Sequence, residues 1–418
     1  MKTIFHKNFY VIVVFVFVLR LLLAFFPSFT IDMNNWVAWS GMLGRAGPLK
    51  FYSLPGWTDY TPGFLYHLWL LGVIDKSLHF GASLYPFLVK LPVIVADIGI
   101  GLLLYKILLK KNFKLAVFAF LAYTVNPVVM FTNSIWGQTD GLIAFFLLLS
   151  AYLLAGKRDI LLSSLFWVLA LFVKPQALVA LPILFIYLLL GKKPKKAIFF
   201  ILFSLVFIFL IGLPFFASSD PILGLPKLIA IMSNESPFTS VMAFNFWALV
   251  KGMWIPDSGT FLGIKYVYWG AAFLTGALGL VLARTIKFGK TPQNLYISLG
   301  LAYLVFFLFP TRVHERYILV SLPFFLLSAG LMYSKIEFVL FFFLSGLALI
   351  NIYHPYAYYT PDSFLSSIKI LEVTTSSYKF ISLLYVLLFF AYLFKDKIQK
   401  SLKLNINFSK MFVRKKGK

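Results

Sequence analysis

Of the chain's 418 residues, 61% are hydrophobic and 12% charged, against about 45–50% apolar and about 25% charged residues in soluble domains. An ordinary soluble domain is excluded, and lipid must be the solvent for most of the chain. There is no cysteine, which removes disulfides, thiolate nucleophiles and Cys-ligated metals as possibilities. The formal net charge of +24 fits either nucleic acid or a membrane surface with anionic lipids, and the placement of the charges decides between them.

The first apolar run, Tyr10 to Phe26, follows a short basic start but has no small-residue cleavage site after it. It reads as an uncleaved first span rather than a signal peptide. Its end puts Asp32 at the outer membrane surface. With spans of roughly 17–25 apolar residues, the crossings fall near 8–26, 85–109, 113–131, 140–156, 159–174, 176–191, 197–215, 261–283, 294–310, 317–333, 335–353 and 375–394. The expected fold is an all-α polytopic membrane protein, a bundle of about twelve transmembrane helices with both termini inside. Residues 1–394 form one membrane module, followed by a basic cytoplasmic tail at 395–418.

Taken alternately, the connections separate by charge. One set holds Lys110, Lys111, Lys114, Lys157, Arg158, Lys192, Lys193, Lys195, Lys196, Arg284, Lys287, Lys290 and Lys335. With Lys2, Lys7 and the tail, it carries most of the 38 Lys and Arg, so it is the cytoplasmic face and nucleic acid is not the partner. The opposite set holds most of the 14 acids, including Asp32, Asp59, Asp75, Asp140, Asp220, Glu235, Asp257, Glu315, Asp362 and Glu372. Counting Phe64 to Ile74 as a span would put the lysine clusters outside. It therefore reads as a membrane-surface helix within a long first outer loop, 27–84. A second outer loop covers 216–260, so recognition or chemistry is expected on the non-cytoplasmic face.

Polar clusters mark where spans meet that face: IDMNNW (31 to 36), TDYTPG (58 to 63), NSIWGQTD (133 to 140), KPQ (174 to 176) and TRVHERY (311 to 317). Ionisable groups at membrane depth are costly unless they share a cavity or a partner. Asp32, partly desolvated, suits a general base, or else it is a solvated or helix-capping Asp. Asp59 and Tyr60 could hydrogen-bond a polyhydroxylated ligand, or Asp59 could cap the next helix. Trp136, Gln138 and Asp140 offer a stacking face, an amide and a carboxylate, a combination suited to sugars, with an interfacial Trp anchor as the plainer reading. Arg312 and Arg316, four apart, would share a helix face and suit phosphate, or anchor to lipid headgroups. His314 can donate to a leaving oxygen. Lys174 is a phosphate ligand or a snorkelling lysine. Asp97 and Lys90 read as a buried structural pair within the second span. His67, His79 and His354 show no metal-ligand spacing, and no metal site is indicated.

In order, these clusters resemble the GT-C superfamily of membrane glycosyltransferases, which use polyprenyl-phosphate-linked sugars. They look most like dolichyl-phosphate-glucose-dependent glucosyltransferases of N-glycan assembly and prokaryotic proteins related to PIG-V-type mannosyltransferases. The resemblance rests on Asp32 after the first span, the DYPP-like segment from Asp59 to Tyr66, the His-Glu-basic motif at 314 to 316, NPVVMFTNSIWGQTD and KPQALVALP. Thr61 departs from the first Pro of the usual pair.

The resemblance implies a hexosyltransferase that needs no cofactor. Asp32 would take the proton from an acceptor hydroxyl, which attacks the anomeric carbon with inversion, and polyprenyl phosphate leaves. His314, Arg316 and Lys174 would stabilise the phosphate, while Asp59, Tyr60, Trp136, Gln138, Asp140, Gln176 and Glu315 would orient sugar and acceptor. Expected partners are a polyprenyl-phosphate-linked donor, a lipid-linked or glycan acceptor and membrane lipids, in a prokaryotic cell membrane. The alternative class is a transporter or flippase of a lipid-linked or polar solute, although no clear repeat relates the two halves. An inactive scaffold subunit is a third reading.

Overall fold

The computed structural model describes residues 2–56, 58–157, 159–192, 194–368 and 373–395. The predicted tail beyond Lys395, together with Arg158, Lys193 and Glu372, lies outside them. The described chain is almost wholly helical, with one two-stranded ribbon. In order, the helices are α1 (Lys2–Leu23), α2 (Thr30–Ala46), α3 (Pro48–Phe51), α4 (Pro62–Leu78), α5 (Leu84–Leu109), α6 (Phe113–Thr124), α7 (Pro127–Val129), α8 (Asp140–Tyr152) and α9 (Ile160–Val173). They continue as α10 (Leu181–Leu189), α11 (Pro194–Phe216), α12 (Gly224–Met232), α13 (Phe246–Val250), α14 (Tyr266–Phe288), α15 (Pro292–Leu308), α16 (Leu322–Met332), α17 (Lys335–Tyr359) and α18 (Thr375–Leu393). A π-helical turn, Met130–Trp136, extends α7, and 3-10 turns Pro175–Ala180 and Glu315–Ser321 lead into α10 and α16.

Among the described residues, six helical segments are long and apolar enough to cross a membrane: Leu84–Leu109, Pro194–Phe216, Tyr266–Phe288, Glu315–Met332, Lys335–Tyr359 and Ser376–Leu393. A seventh is added if Phe113–Thr124 and Pro127–Trp136, bent by 42°, form one span. Five shorter apolar helices fall between 10 and 17 residues. The chain is therefore an all-α protein of membrane type, with α15 and α16 buried at its centre.

The predicted outer loop 27–84 is largely helical. Its α2 and α4 pack so closely that a Cβ at Gly72 would run into the carbonyl of Ser40, and one at Gly44 into the carbonyl of Gly72. Ser40 Oγ donates to the carbonyl of Leu68 at 2.6 Å and Tyr66 Oη to that of Ile211 at 2.6 Å, fastening the pair to itself and to α11. Gly63 presses on the backbone of Phe172 and Val173, with no room for a Cβ. Gly63 is a close-approach glycine in the first turn of α4, and this contact brings Asp59 and Tyr60 beside Lys174.

The segment predicted as a second outer loop, 216–260, is fixed by α17. Asn351 of α17 accepts from the Phe244 N–H at 2.9 Å and donates to the Met242 carbonyl at 2.7 Å. The ribbon Thr260–Phe261 with Ile264–Lys265 precedes α14, so the span placed at 261–283 begins later, at Tyr266.

Candidate functional site

Asp32 lies in the first turn of α2. Its Oδ2 accepts from Trp136 Nε1 at 2.8 Å and from the amide nitrogen of Gln138. Trp136 ends the π-helical turn, a distortion often found at functional sites, and Gln138 follows its Gly137 cap. The chain reverses there at Gly137, with φ +98°, and the N–H groups of Gly137 and Gln138 both reach the Thr132 carbonyl at 3.0 Å. Asp32 Oδ1 has no hydrogen-bond partner among the described residues. The carboxylate opens into a cavity of about 240 Å³, lined also by Trp36, Trp39, Trp254, Tyr359 and His314.

Gln138 has two partners that fix its amide orientation. Its nitrogen donates to Asp32, and its Oε1 accepts from Lys174 Nζ at 3.3 Å. Lys174, between α9 and the 3-10 turn, also donates to Asp140 Oδ2 at 2.8 Å, and Gln176 donates to Asp140 Oδ1 at 2.8 Å. The Lys174 ammonium sits over the Tyr60 ring, 5.6 Å from its centre, a cation–π distance.

The segment 311–316 is not one helix. Arg312 has φ +68° and only at Glu315 does the 3-10 turn begin. The expectation that Arg312 and Arg316 share a helix face is corrected: the backbone between them is extended to pair with Val241 and Met242. Arg312 donates to Asp257 (Nε–Oδ2, 2.6 Å), the Ser233 carbonyl (2.5 Å) and Asn234 Oδ1 (2.8 Å), holding the segment 233–257 rather than standing beside Arg316. Arg316 donates to Glu315 Oε1 at 3.0 Å, while its Nε is buried without a hydrogen-bond partner among the described residues.

His314 faces the Arg316 guanidinium, with Nδ1 at 3.2 Å from Nη1. Arginine can only donate, so Nδ1 must accept and the imidazole proton sits on Nε2. Burial, and then the charges of Arg316 and Lys174, hold the imidazole well below the usual histidine range. The Glu315 carboxylate at 4.0 Å therefore does not meet a histidinium. His314 offers a neutral N–H, and the positive charge of the site resides on Arg316 and Lys174.

Asp59, Tyr60, Ser236, His314 and Arg316 line both the Asp32 cavity and a second one of about 280 Å³, whose other walls include Lys174, Gln176 and Arg312. Two chambers thus meet across one row of polar groups. Burial, opposed by Arg316 and reinforced by Asp32, raises the Asp59 carboxyl to about 6. A carboxyl raised on folding binds more protons in the native state, so native stability falls as pH rises from about 4 to about 6. Asp59→Asn is expected to raise the melting temperature at pH 7 by an amount equivalent to roughly 1–3 kcal/mol, with no gain at pH 4. An equal gain at both values would refute this origin.

The structure brings together the residues that the resemblance assigns to the site: Asp32, Asp59, Tyr60, Trp136, Gln138, Asp140, Lys174, Gln176, His314, Glu315 and Arg316. Several stand where ligand contact is not their main occupation. Trp136 is 1% exposed and stacked on Phe29 at 4.3 Å, so its face is covered and its N–H serves Asp32. Gln138, Asp140 and Gln176 are buried and secure Asp32 and Lys174. Asp59 does not cap α4, whose N-cap is Thr61.

Below the cluster, the expected Lys90–Asp97 pair is also corrected. Asp97 pairs with Arg20 at 2.7 Å, and Lys90 donates to the carbonyls of Ala24 and Phe26 at 2.8 and 3.0 Å. Sequence reading passes over Arg20, although a lone arginine in an apolar run is a signal of a buried partner. It also passes over Asn133, which grips both Asp97 oxygens at 3.0 and 2.9 Å from within the π-helical turn. Among the described residues no cluster of three metal-ligating side chains occurs. No protein-family model matches the chain, and neither does any curated protein.

Proposed function

We propose that the chain is an inverting membrane glycosyltransferase of GT-C type, moving a hexose from a polyprenyl-phosphate-linked donor to a lipid-linked or glycan acceptor. The reading is supported above all by Asp32, whose carboxylate is anchored through Oδ2 and left open at Oδ1 in a chamber adjoining a cationic one. Oδ1 takes the proton of an acceptor hydroxyl as that oxygen bonds to the anomeric carbon. The bond from that carbon to the phosphate oxygen breaks on the opposite face, and polyprenyl phosphate departs. Arg316 and Lys174 balance the phosphate charge, and His314 donates from Nε2.

In this reading the five shorter apolar helices complete about twelve crossings. The basic connections lie in the cytoplasm and the Asp32 face lies outside, with 27–84 as the long outer segment. The positions of Trp136, Gln138, Asp140 and Gln176 assign them to holding Asp32 and Lys174, leaving Asp59, Tyr60 and Glu315 nearer the substrates.

The test is mass spectrometry of lipid-linked sugars and envelope glycans from cells with and without the gene. Loss of a single hexose, restored by the wild-type chain and not by Asp32→Asn, is expected. Purified protein that carries a labelled lipid-linked sugar across vesicles yet transfers none would favour transport instead.

A further inference from the structure

Helices α14, α15 and α16 run between the Asp32 cluster and the far end of the bundle. At the near end lie Tyr266, Phe309 and the 311–316 segment. At the far end Arg284, Asn294, Ser328 and Met332 enclose a separate cavity of about 260 Å³, closed by Phe288, Thr291, Gln293, Ile297 and Lys395. The proposed reaction makes no use of it.

Its chemistry is one-sided. Two cations, Arg284 and Lys395, line it, and among the described residues no carboxylate does. Arg284 is held in place: its Nη1 donates to Asn294 Oδ1 at 3.0 Å, and its guanidinium lies over the Phe288 ring at 4.6 Å. Asn294 in turn donates to the carbonyls of Thr285 and Gly289, each at 2.8 Å, so the α14–α15 turn is built around the arginine. Lys395 is paired with Glu337, which lies outside the lining.

Ser328 provides the independent sign. It is 1% exposed, lines this cavity, and its Oγ has no hydrogen-bond partner among the described residues. A buried hydroxyl without a partner costs about 1–3 kcal/mol, so its retention indicates an occupant that accepts a hydrogen bond. At the rim, Ile286, Phe288 and Met332 are exposed apolar side chains, and the exposed Lys287 and Lys290 flank the same turn. Cations and a hydroxyl inside, with apolar side chains at the mouth, match a phosphate carried on an acyl chain rather than a free solute.

We propose that this cavity binds the phosphodiester of an anionic phospholipid, such as phosphatidylglycerol. The Arg284 guanidinium and Ser328 Oγ donate to its non-ester oxygens, and Lys395 supplies further charge. The lipid would join the far ends of α14, α15 and α16 and would be separate from any polyprenyl phosphate near Asp32.

The test uses the purified full-length chain and native mass spectrometry with phosphatidylglycerol, phosphatidylcholine and inorganic phosphate. Wild type is expected to retain phosphatidylglycerol at least about tenfold better than phosphatidylcholine. Arg284→Gln should lose about tenfold of that affinity. Ser328→Ala, which removes an unpartnered hydroxyl and should fold normally, should lose severalfold. Equal retention of the two lipids, or both variants binding as wild type does, overturns the site. Inorganic phosphate displacing the lipid at millimolar concentration would assign a free anion instead and overturn the lipid assignment.

Discussion

Asp32→Asn is expected to lower turnover roughly 10²–10⁴-fold, the range that general-base positioning contributes, while the affinity for a polyprenyl-phosphate-linked donor stays within about twofold. The asymmetry follows from where the groups stand. Asp32 presents Oδ1 to one chamber, whereas Lys174 lines the other and Arg316 stands in the wall that the two share. The substitution removes the proton acceptor and leaves the cations in place. Asparagine can still accept from Trp136 and Gln138 through its carbonyl oxygen, so the local fold survives. Single-turnover transfer and donor binding, measured on the same preparation, separate the two effects. Transfer within threefold of wild type would remove Asp32 from the reaction.

Trp136→Phe extends the same logic, because the ring keeps its stack on Phe29 and loses only the N–H. A hydrogen bond to a charged group is worth about 1.5–3 kcal/mol, so turnover should fall roughly tenfold or more. A face used for sugar stacking would instead be preserved by phenylalanine and show little change.

Asp97→Ala is expected to cost about 3–5 kcal/mol of stability. Arg20, Asn133 and Tyr123 converge on Asp97 at 2.7–3.2 Å, and Arg20 also donates to the Thr124 carbonyl and to Ser134. Without the carboxylate, a guanidinium with no exposure is left uncompensated. Thermal unfolding in detergent should therefore shift sharply, and Arg20→Met combined with Asp97→Leu should recover much of the loss, because two apolar groups can replace a buried pair. No recovery in the double variant would show that the network contributes more than mutual charge compensation. Since Asn133 belongs to the π-helical turn that ends in Trp136, loss of Asp97 should also lower transfer among the molecules that remain folded.

Much of the candidate site is legible in the sequence because polar residues are conspicuous in so apolar a chain. Asp32, Asp59, Lys174 and the 314–316 group stand out against lipid-soluble runs, and the cost of burying each predicts convergence. What the sequence leaves hidden is direction. Whether Trp136 shows its face or its N–H depends on the π-helical turn and on the positive φ of Gly137, neither of which leaves a periodic trace. Asp97 chooses Arg20, 77 positions away, over Lys90 on its own helix, because α1 brings a planar donor to it while Lys90 reaches the carbonyls that end that helix. Arg312 looks helical by spacing from Arg316, yet the strand-like pairing of His314 with Val241 and Met242 breaks the helix between them. In the fold, apolar content identifies helices readily, but among the described residues length qualifies six or seven as spans on their own. Broken and short helices such as α6, α9 and α10 are set by neighbours rather than by their own composition.

The outer helices differ in kind from this centre. Only 22% of the apolar window of α11 and 17% of that of α14 is buried within the protein, against 83% for Glu315–Met332. In a bilayer the larger part of the apolar surface of these two helices would meet acyl chains, so their hold on the bundle would depend on the protein together with its solvent. Delipidation should accordingly act as an unfolding agent with a direction, loosening α11 and α14 while the α15–α16 centre keeps its amide protection. Hydrogen exchange in short-chain detergent and in bilayer discs would display that gradient as a difference between helices of one molecule.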